Sequence, residues 1–190
     1  MQLIIISGRS GSGKSTALNQ LEDEGYYCID NLPVSLLPSL VEKTSSEEFG
    51  HFRGTAVCID ARNAWKDLAN FGEVMASLPA SVNSEVLFLD AQESALIKRF
   101  SETRRKHPLS SDSMPLAEAI DKERQLLEPI SSAASLVLDT SQMTIYELRD
   151  AVKQRLLGAE SGSMSLLIQS FGFKRGIPTD ADLVFDVRML

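Results

Sequence analysis

The chain has 190 residues, 43% hydrophobic and 24% charged, with a net charge of −7 and a pI near 4.9. That is enough for one domain with a substantial core plus a short appendage, and the composition excludes wholesale disorder. The acidic balance excludes a general nucleic-acid-binding surface, and two cysteines with two histidines are too few for a disulfide framework or a Cys/His metal cluster.

In chain order, short apolar runs alternate with amphipathic stretches. Residues 3–7 (LIIIS) read as a buried strand, and 14–24 as a helix with Ala17, Leu18 and Leu21 on one face and Gly25 ending it. Residues 26–29 are the next strand, Pro33 opens a second helical stretch through about Lys43, and 44–50 is polar and loop-like. Residues 55–60 (TAVCID) are a third strand, 65–78 a helix with Pro79 beyond it, and 85–90 (EVLFLD) a fourth strand. Residues 94–105 are a helix leading into a breaker-rich loop at 107–115. A long helix at 116–134, interrupted near Pro129, precedes a fifth strand at 135–139, and a helix at 144–157 is ended by Gly158.

This alternation, with strands apolar throughout, predicts an α/β fold whose parallel five-stranded sheet carries helices on both faces, of the P-loop NTPase, kinase-like kind. Residues 1–158 are expected to form that domain, 159–164 a linker, and 165–190 the beginning of a truncated second domain, with strands at 166–168 and 183–187. Cys28 and Cys58 sit in apolar strands and are expected to be buried free thiols. The short apolar N-terminus lacks a basic region and a cleavage site, and no apolar run approaches the ~20 residues of a membrane span. A cytoplasmic protein without membrane contact is therefore expected.

The strongest motif is G-R-S-G-S-G-K-S, comprising Gly8, Arg9, Ser10, Gly11, Ser12, Gly13, Lys14 and Ser15. Glycines let the backbone bend so that N–H groups ring an anion, and the helix that follows points its positive end at the same place. Lys14 is expected to reach the β- and γ-phosphates of ATP or GTP, and the Ser15 hydroxyl to ligate Mg2+.

Asp60 and Asp90 each end an apolar strand and compete for the second magnesium position. The strand at 55–60 is expected beside the P-loop strand, which favours Asp60. The alternative for each is a cap on the following helix, and it weighs more for Asp90 than for Asp60. Asp30, after the second strand, is read as a base or water-positioning group facing the γ-phosphate, or as a turn residue before Pro33. Lys98, Arg99, Arg104, Arg105 and Lys106 form the basic cluster. Arg104 and Arg105 are the candidates to close over phosphates, the alternative being a solvated helix end. Asp139, Thr140 and Ser141 either touch the base edge or cap a helix.

Several further stretches accompany the phosphate motif: Y-C-I-D-N-L-P at 27–33, I-D-A-R-N at 59–63, L-F-L-D-A at 87–91 and T-R-R-K-H-P-L at 103–109. D-K-E at 121–123, L-L-E-P at 126–129 and S-F-G-F-K-R-G-I-P-T-D-A-D at 170–182 complete the set. Together they closely resemble the RapZ/YvcJ family of RNase adapter proteins, across essentially the whole chain. The resemblance implies ATP bound by the residues from Gly8 to Ser15, GTP assigned to Asp60, Ala61, Arg62 and Asn63, and slow ATPase and GTPase activity. It also implies partnership of the intact protein with a small regulatory RNA and an endoribonuclease, mainly through a C-terminal domain. A homo-oligomer is possible. Two other functions compete: a small-molecule or nucleotide kinase of the P-loop class, and direct RNA binding through residues 98–106.

Overall fold

The computed structural model describes residues 1–111, 113–157 and Phe185. The linker, the 166–168 strand, the 170–182 motif and, apart from Phe185, the 183–187 strand lie outside the described residues. The elements run β1 (Gln2–Gly8), α1 (Lys14–Asp23), β2 (Tyr27–Ile29), α2 (Leu37–Thr44), β3 (Thr55–Cys58), α3 (Trp65–Ala69) and α4 (Phe71–Ala76). They continue with β4 (Asn83–Asp90), α5 (Glu93–Thr103), α6 (Leu116–Ser132), β5 (Leu136–Asp139) and α7 (Ile145–Leu156). All five strands are parallel, in the order β2-β3-β1-β4-β5. The expected neighbour relation holds: β3 pairs directly with β1.

The apolar runs are explained by coverage on both faces. Leu3, Ile5, Val57, Ile59, Val86 and Phe88 point to one side, under Leu37 and Val41 of α2, Leu68, Phe71, and Leu127 and Ile130 of α6. Ile4, Ile6, Ala56, Cys58, Leu87 and Leu89 point to the other, under Ala17, Leu18 and Leu21 of α1 and Leu148, Val152 and Leu156 of α7. A strand buried on both sides has no polar face to alternate with. Because the chain winds from β1 toward β3 on one side and β4 on the other, the carboxyl end of β1 opens at the switch point where ligands bind in such sheets.

Four elements differ from the sequence reading. The 65–78 helix is two short helices, because Asn70 closes α3 (its N–H donates to the Lys66 carbonyl) and opens α4 with its own carbonyl. The 33–43 stretch begins as a 3-10 turn, Val34–Leu36, before α2 proper, whose first turn holds Pro38 where no N–H is needed. Helix α6 runs through Pro129 without interruption, since the proline lies in its last turns and removes a single N–H. Helix α5 stops at Thr103, because Arg104 adopts φ 52, a left-handed conformation. Both cysteines are free, Cys58 buried and Cys28 half-buried, and burial pushes each thiol up to about 12.

One contact sets how closely β1 and β4 approach. Gly8 has φ 141, and a Cβ there would land on the Leu89 carbonyl oxygen. Gly72, inside α4, has nothing within 4 Å of a Cβ among the described residues. Gly8→Ala is therefore expected to lower stability by about 2 kcal/mol or more, and Gly72→Ala to raise it by about 0.5–1 kcal/mol. Urea denaturation midpoints check both, and equal shifts for the two glycines would contradict the packing described.

Candidate functional site

The loop between β1 and α1 lines a cleft of about 890 Å³. Its last residue, Gly13, has φ 106, and a Cβ there would fall on Leu148 of α7, so only glycine lets α1 start where it does. Gly13 supplies no side-chain cap, which leaves the first N–H groups of α1 directed at the cleft. Lys14 is buried, with Nζ donating to the carbonyls of Gly8 at 2.8 Å and Arg9 at 3.1 Å. Ser15 is exposed at the cleft wall, and the buried Ser12 hydroxyl finds no partner among the described residues.

The outer side of the loop is anchored rather than open. Arg9 is buried and donates to Asp90 Oδ1 at 2.5 Å and to the Ala91 carbonyl. Its side chain therefore turns away from the cleft, and Asp90, which also accepts the Ala91 N–H at 2.8 Å, is taken up in holding it. Thr140 bonds the Ser12 carbonyl at 2.9 Å, while Arg99 donates to the Gly11 carbonyl at 2.9 Å and to Thr140 Oγ1 at 3.1 Å. Thr140 thus supports the loop backbone, and Asp139 turns back to accept the Ser141 N–H at 2.8 Å.

A third anchor is built on a buried carboxylate. Glu123 of α6 accepts from the Ser10 N–H at 2.9 Å, the Ser10 hydroxyl at 2.7 Å and His107 Nε2 at 3.0 Å. His107 Nδ1 accepts the Leu109 N–H at 3.1 Å, so the ring proton sits on Nε2. Burial pushes the Glu123 carboxyl up, but hydrogen bonds from His107 and Ser10 and the Lys14 charge outweigh it and hold it below the ordinary glutamate range.

On the β2–β3 side, Asp60 and Asp30 both line the cleft. Arg62 donates to Asp60 from its backbone N–H at 2.9 Å and from Nη2 at 2.7 Å, and lies 3.8 Å from Asp30. Burial raises the Asp60 carboxyl, yet the Arg62 bonds and the Lys14 charge win, so it stays below the usual aspartate range. The other two members of the D-A-R-N stretch leave the cleft: Ala61 is in the core, and Asn63 Oδ1 accepts the Val34 N–H at 3.0 Å.

On the β5 side the wall is apolar, formed by Met143, Ile145 and Leu148. Arg99, Arg105 and Lys106 reach the cleft, whereas Arg104 does not line it and instead makes the left-handed turn that ends α5. The sequence reading grouped Arg99 with the basic cluster without singling it out, and it missed the Glu123–His107 anchor. For Glu123 the signal was present: it sits in register with Ala119, Ile120, Leu127 and Ile130 on the buried face of α6, a charge where an aliphatic residue belongs. Nothing in the sequence pattern around His107 signals its pairing.

Among the described residues no three His, Cys, Asp or Glu side chains gather to hold a metal, and no helix is long and apolar enough to cross a membrane.

The family model for the RapZ-like N-terminal domain matches residues 1–160, and that for the RapZ C-terminal domain matches 164–190. A protein of Hahella chejuensis named "Nucleotide-binding protein" is 56% identical over the whole chain, which covers 67% of that relative. One of the same name from Pseudomonas aeruginosa is 55% identical with the same coverage, so the chain spans about two thirds of the length of these relatives. Among solved structures, a sugar kinase from Janibacter sp. HTCC2649 aligns over 84% of this chain and 96% of its own, with TM-score 0.54 and 19% identity. A shikimate kinase from Acinetobacter baumannii, in complex with shikimate, aligns over 84% of this chain and 94% of its own, with TM-score 0.50 and 15% identity. Those two likenesses concern the fold.

The depressed Glu123 carboxyl has a consequence for acid stability. Its pairing contributes fully above the ordinary glutamate value of about 4.3 and is lost as pH falls through the lower folded-state value. Glu123→Gln is expected to cost about 1–3 kcal/mol at neutral pH, with the gap to the unmodified chain closing below about pH 4. Urea midpoints measured from pH 7 down to pH 3 check this, and a gap that stays constant throughout would contradict it.

Proposed function

The chain belongs to the RapZ-like family, and from that premise we propose that it binds a nucleoside triphosphate, ATP or GTP, in the β1–α1 cleft and hydrolyses it slowly as a regulatory signal. The observation that carries this is convergence: the glycine-built loop, the uncapped start of α1 and the buried Lys14 ammonium all meet at one cleft. A ring of N–H groups, a helix N-terminus and a fixed cation make an anion site suited to phosphate.

Topology supports an orientation. Asp30, Asp60 and Arg62 lie on the β2–β3 side of β1, and Met143, Ile145 and Leu148 beyond β4 on the other. An apolar wall suits the face of a base, while charged groups suit the terminal phosphate. In this account the base rests against residues 143–148, the phosphates follow the loop, and the γ-phosphate reaches toward Asp60. The D-A-R-N stretch then meets the phosphate end, not the base.

Ser15 and Asp60 fit a magnesium ion as one hydroxyl and one carboxylate on the same cleft. Such a pair would hold Mg2+ together with substrate phosphates once Asp60 is released from Arg62, and the ion would supply charge neutralisation there. Lys14 would then exchange its bonds to the Gly8 and Arg9 carbonyls for phosphate oxygens. Asp30, exposed and 3.8 Å from Arg62, would orient the attacking water. Arg62 engages both carboxylates, which favours a slow reaction over a fast one. Arg105 and Lys106 would screen charge from the α5 side.

Family membership further supports a place in RNA regulation. The intact protein would bring a small RNA to an endoribonuclease, chiefly through the C-terminal domain whose model matches from residue 164 onward. The nucleotide state of the domain described here would be the signal it reports.

Equilibrium binding of ATP and GTP, with Mg2+, is expected to weaken tenfold or more in Lys14→Ala, about 1.4 kcal/mol. The γ-phosphate is expected to appear on water. Affinity untouched by Lys14→Ala would contradict the site, and label transferred to a metabolite would replace the regulatory reading with a kinase.

A further inference from the structure

The Ser10–Glu123–His107 chain stands outside the phosphate chemistry set out above. Glu123 is fully enclosed and His107 nearly so. A buried carboxylate is costly unless its oxygens are fully used, and an aliphatic residue at this point of α6 would pack at no such cost. The three donors it collects come from two separate segments. Two are the N–H and hydroxyl of Ser10 in the phosphate loop, and the third is His107, which follows the basic residues Arg105 and Lys106 directly. The Ser10 N–H points at Glu123 and is therefore unavailable to an anion in the cleft. On the other side, His107 also accepts the Leu109 N–H, so its ring is held from both ends. The segment between α5 and His107 begins at the left-handed Arg104, and Arg105 and Lys106 project from it into the cleft.

We propose that Glu123 is a positioning residue that joins the phosphate loop and the basic 104–107 segment into one mechanical unit, so that the placement of Arg105 and Lys106 over a triphosphate depends on the conformation of the loop. The proposal rests on the triphosphate-binding reading for its purpose, but not for the coupling itself. The coupling follows from geometry. Movement of Ser10 displaces the carboxylate, and the carboxylate holds the ring on which the basic segment ends. A shift at either end breaks a hydrogen bond to a buried charge, and such bonds are stronger than neutral ones. The two segments are thus expected to move together.

Limited trypsin digestion and amide hydrogen exchange, on the 190-residue chain with and without ATP and Mg2+, test this. His107→Gln alters only the basic-segment end, and Ser10→Ala removes only one hydroxyl at the loop end. Each is expected to raise both readouts at least fivefold: cleavage after Arg104, Arg105 and Lys106, and exchange across residues 9–12. Cleavage after Arg124 and Lys153 is expected to stay unchanged, which separates local coupling from general unfolding. In the unmodified chain, triphosphate is expected to suppress cleavage after residues 104–106, and in Glu123→Gln to lose most of that effect. The proposal is overturned if His107→Gln frees the basic segment without changing exchange at residues 9–12. Equal protection by triphosphate in the Glu123→Gln and unmodified chains overturns it too. If Lys14→Ala shows the same nucleotide protection as the unmodified chain, the triphosphate site is wrong, while the nucleotide-free patterns still decide the coupling.

Discussion

The architecture around the cleft depends on how the chain leaves β1. At Gly8 the backbone lies against the Leu89 carbonyl of β4 with no room for a side chain. The chain then reverses into α1 through Gly13, which lies against Leu148 of α7. These two close approaches set the loop between β4 and α7. The Ser10, Gly11 and Ser12 backbone is then tied down by Glu123, Arg99 and Thr140, each arriving from a different element. A loop so held is ordered before any ligand arrives, which reduces the ordering cost of binding.

Electrostatics explain how an acidic chain builds an anion site. The carboxylates near the loop are not left to repel phosphate. Asp90 is paired with Arg9, Glu123 with His107 and Ser10, and Asp60 with Arg62. Lys14 stands among them at the first position of α1, and Arg99, Arg105 and Lys106 add positive charge from α5 and the segment after it. The net charge of −7 thus describes the whole chain and not the cleft.

Much of this was legible in the sequence, for physical reasons. Strands buried on both faces announce themselves as unbroken apolar runs, so β1, β3 and β4 were read to within two residues at each end. The phosphate loop was legible because its glycines are required by geometry. Helix ends were less so. Asn70 splits one amphipathic stretch, and Arg104 ends another with a left-handed turn, and neither residue type demands it. That turn separates Arg104 from Arg105, two adjacent arginines with the same chemistry, and only the second reaches the cleft. The pairing of Arg9 with Asp90 is a contact across 81 positions of chain, which no local pattern encodes.

The central claim is that one triphosphate lies across the cleft with its base against residues 143–148 and its terminal phosphate toward Asp60 and Arg62. Photocrosslinking with base-modified azido-ATP and azido-GTP, followed by peptide mapping, tests it most directly. Labelling confined to the segment around Met143, Ile145 and Leu148 is the predicted result. Labelling concentrated on residues 60–63 would place the base at the opposite end and contradict the account.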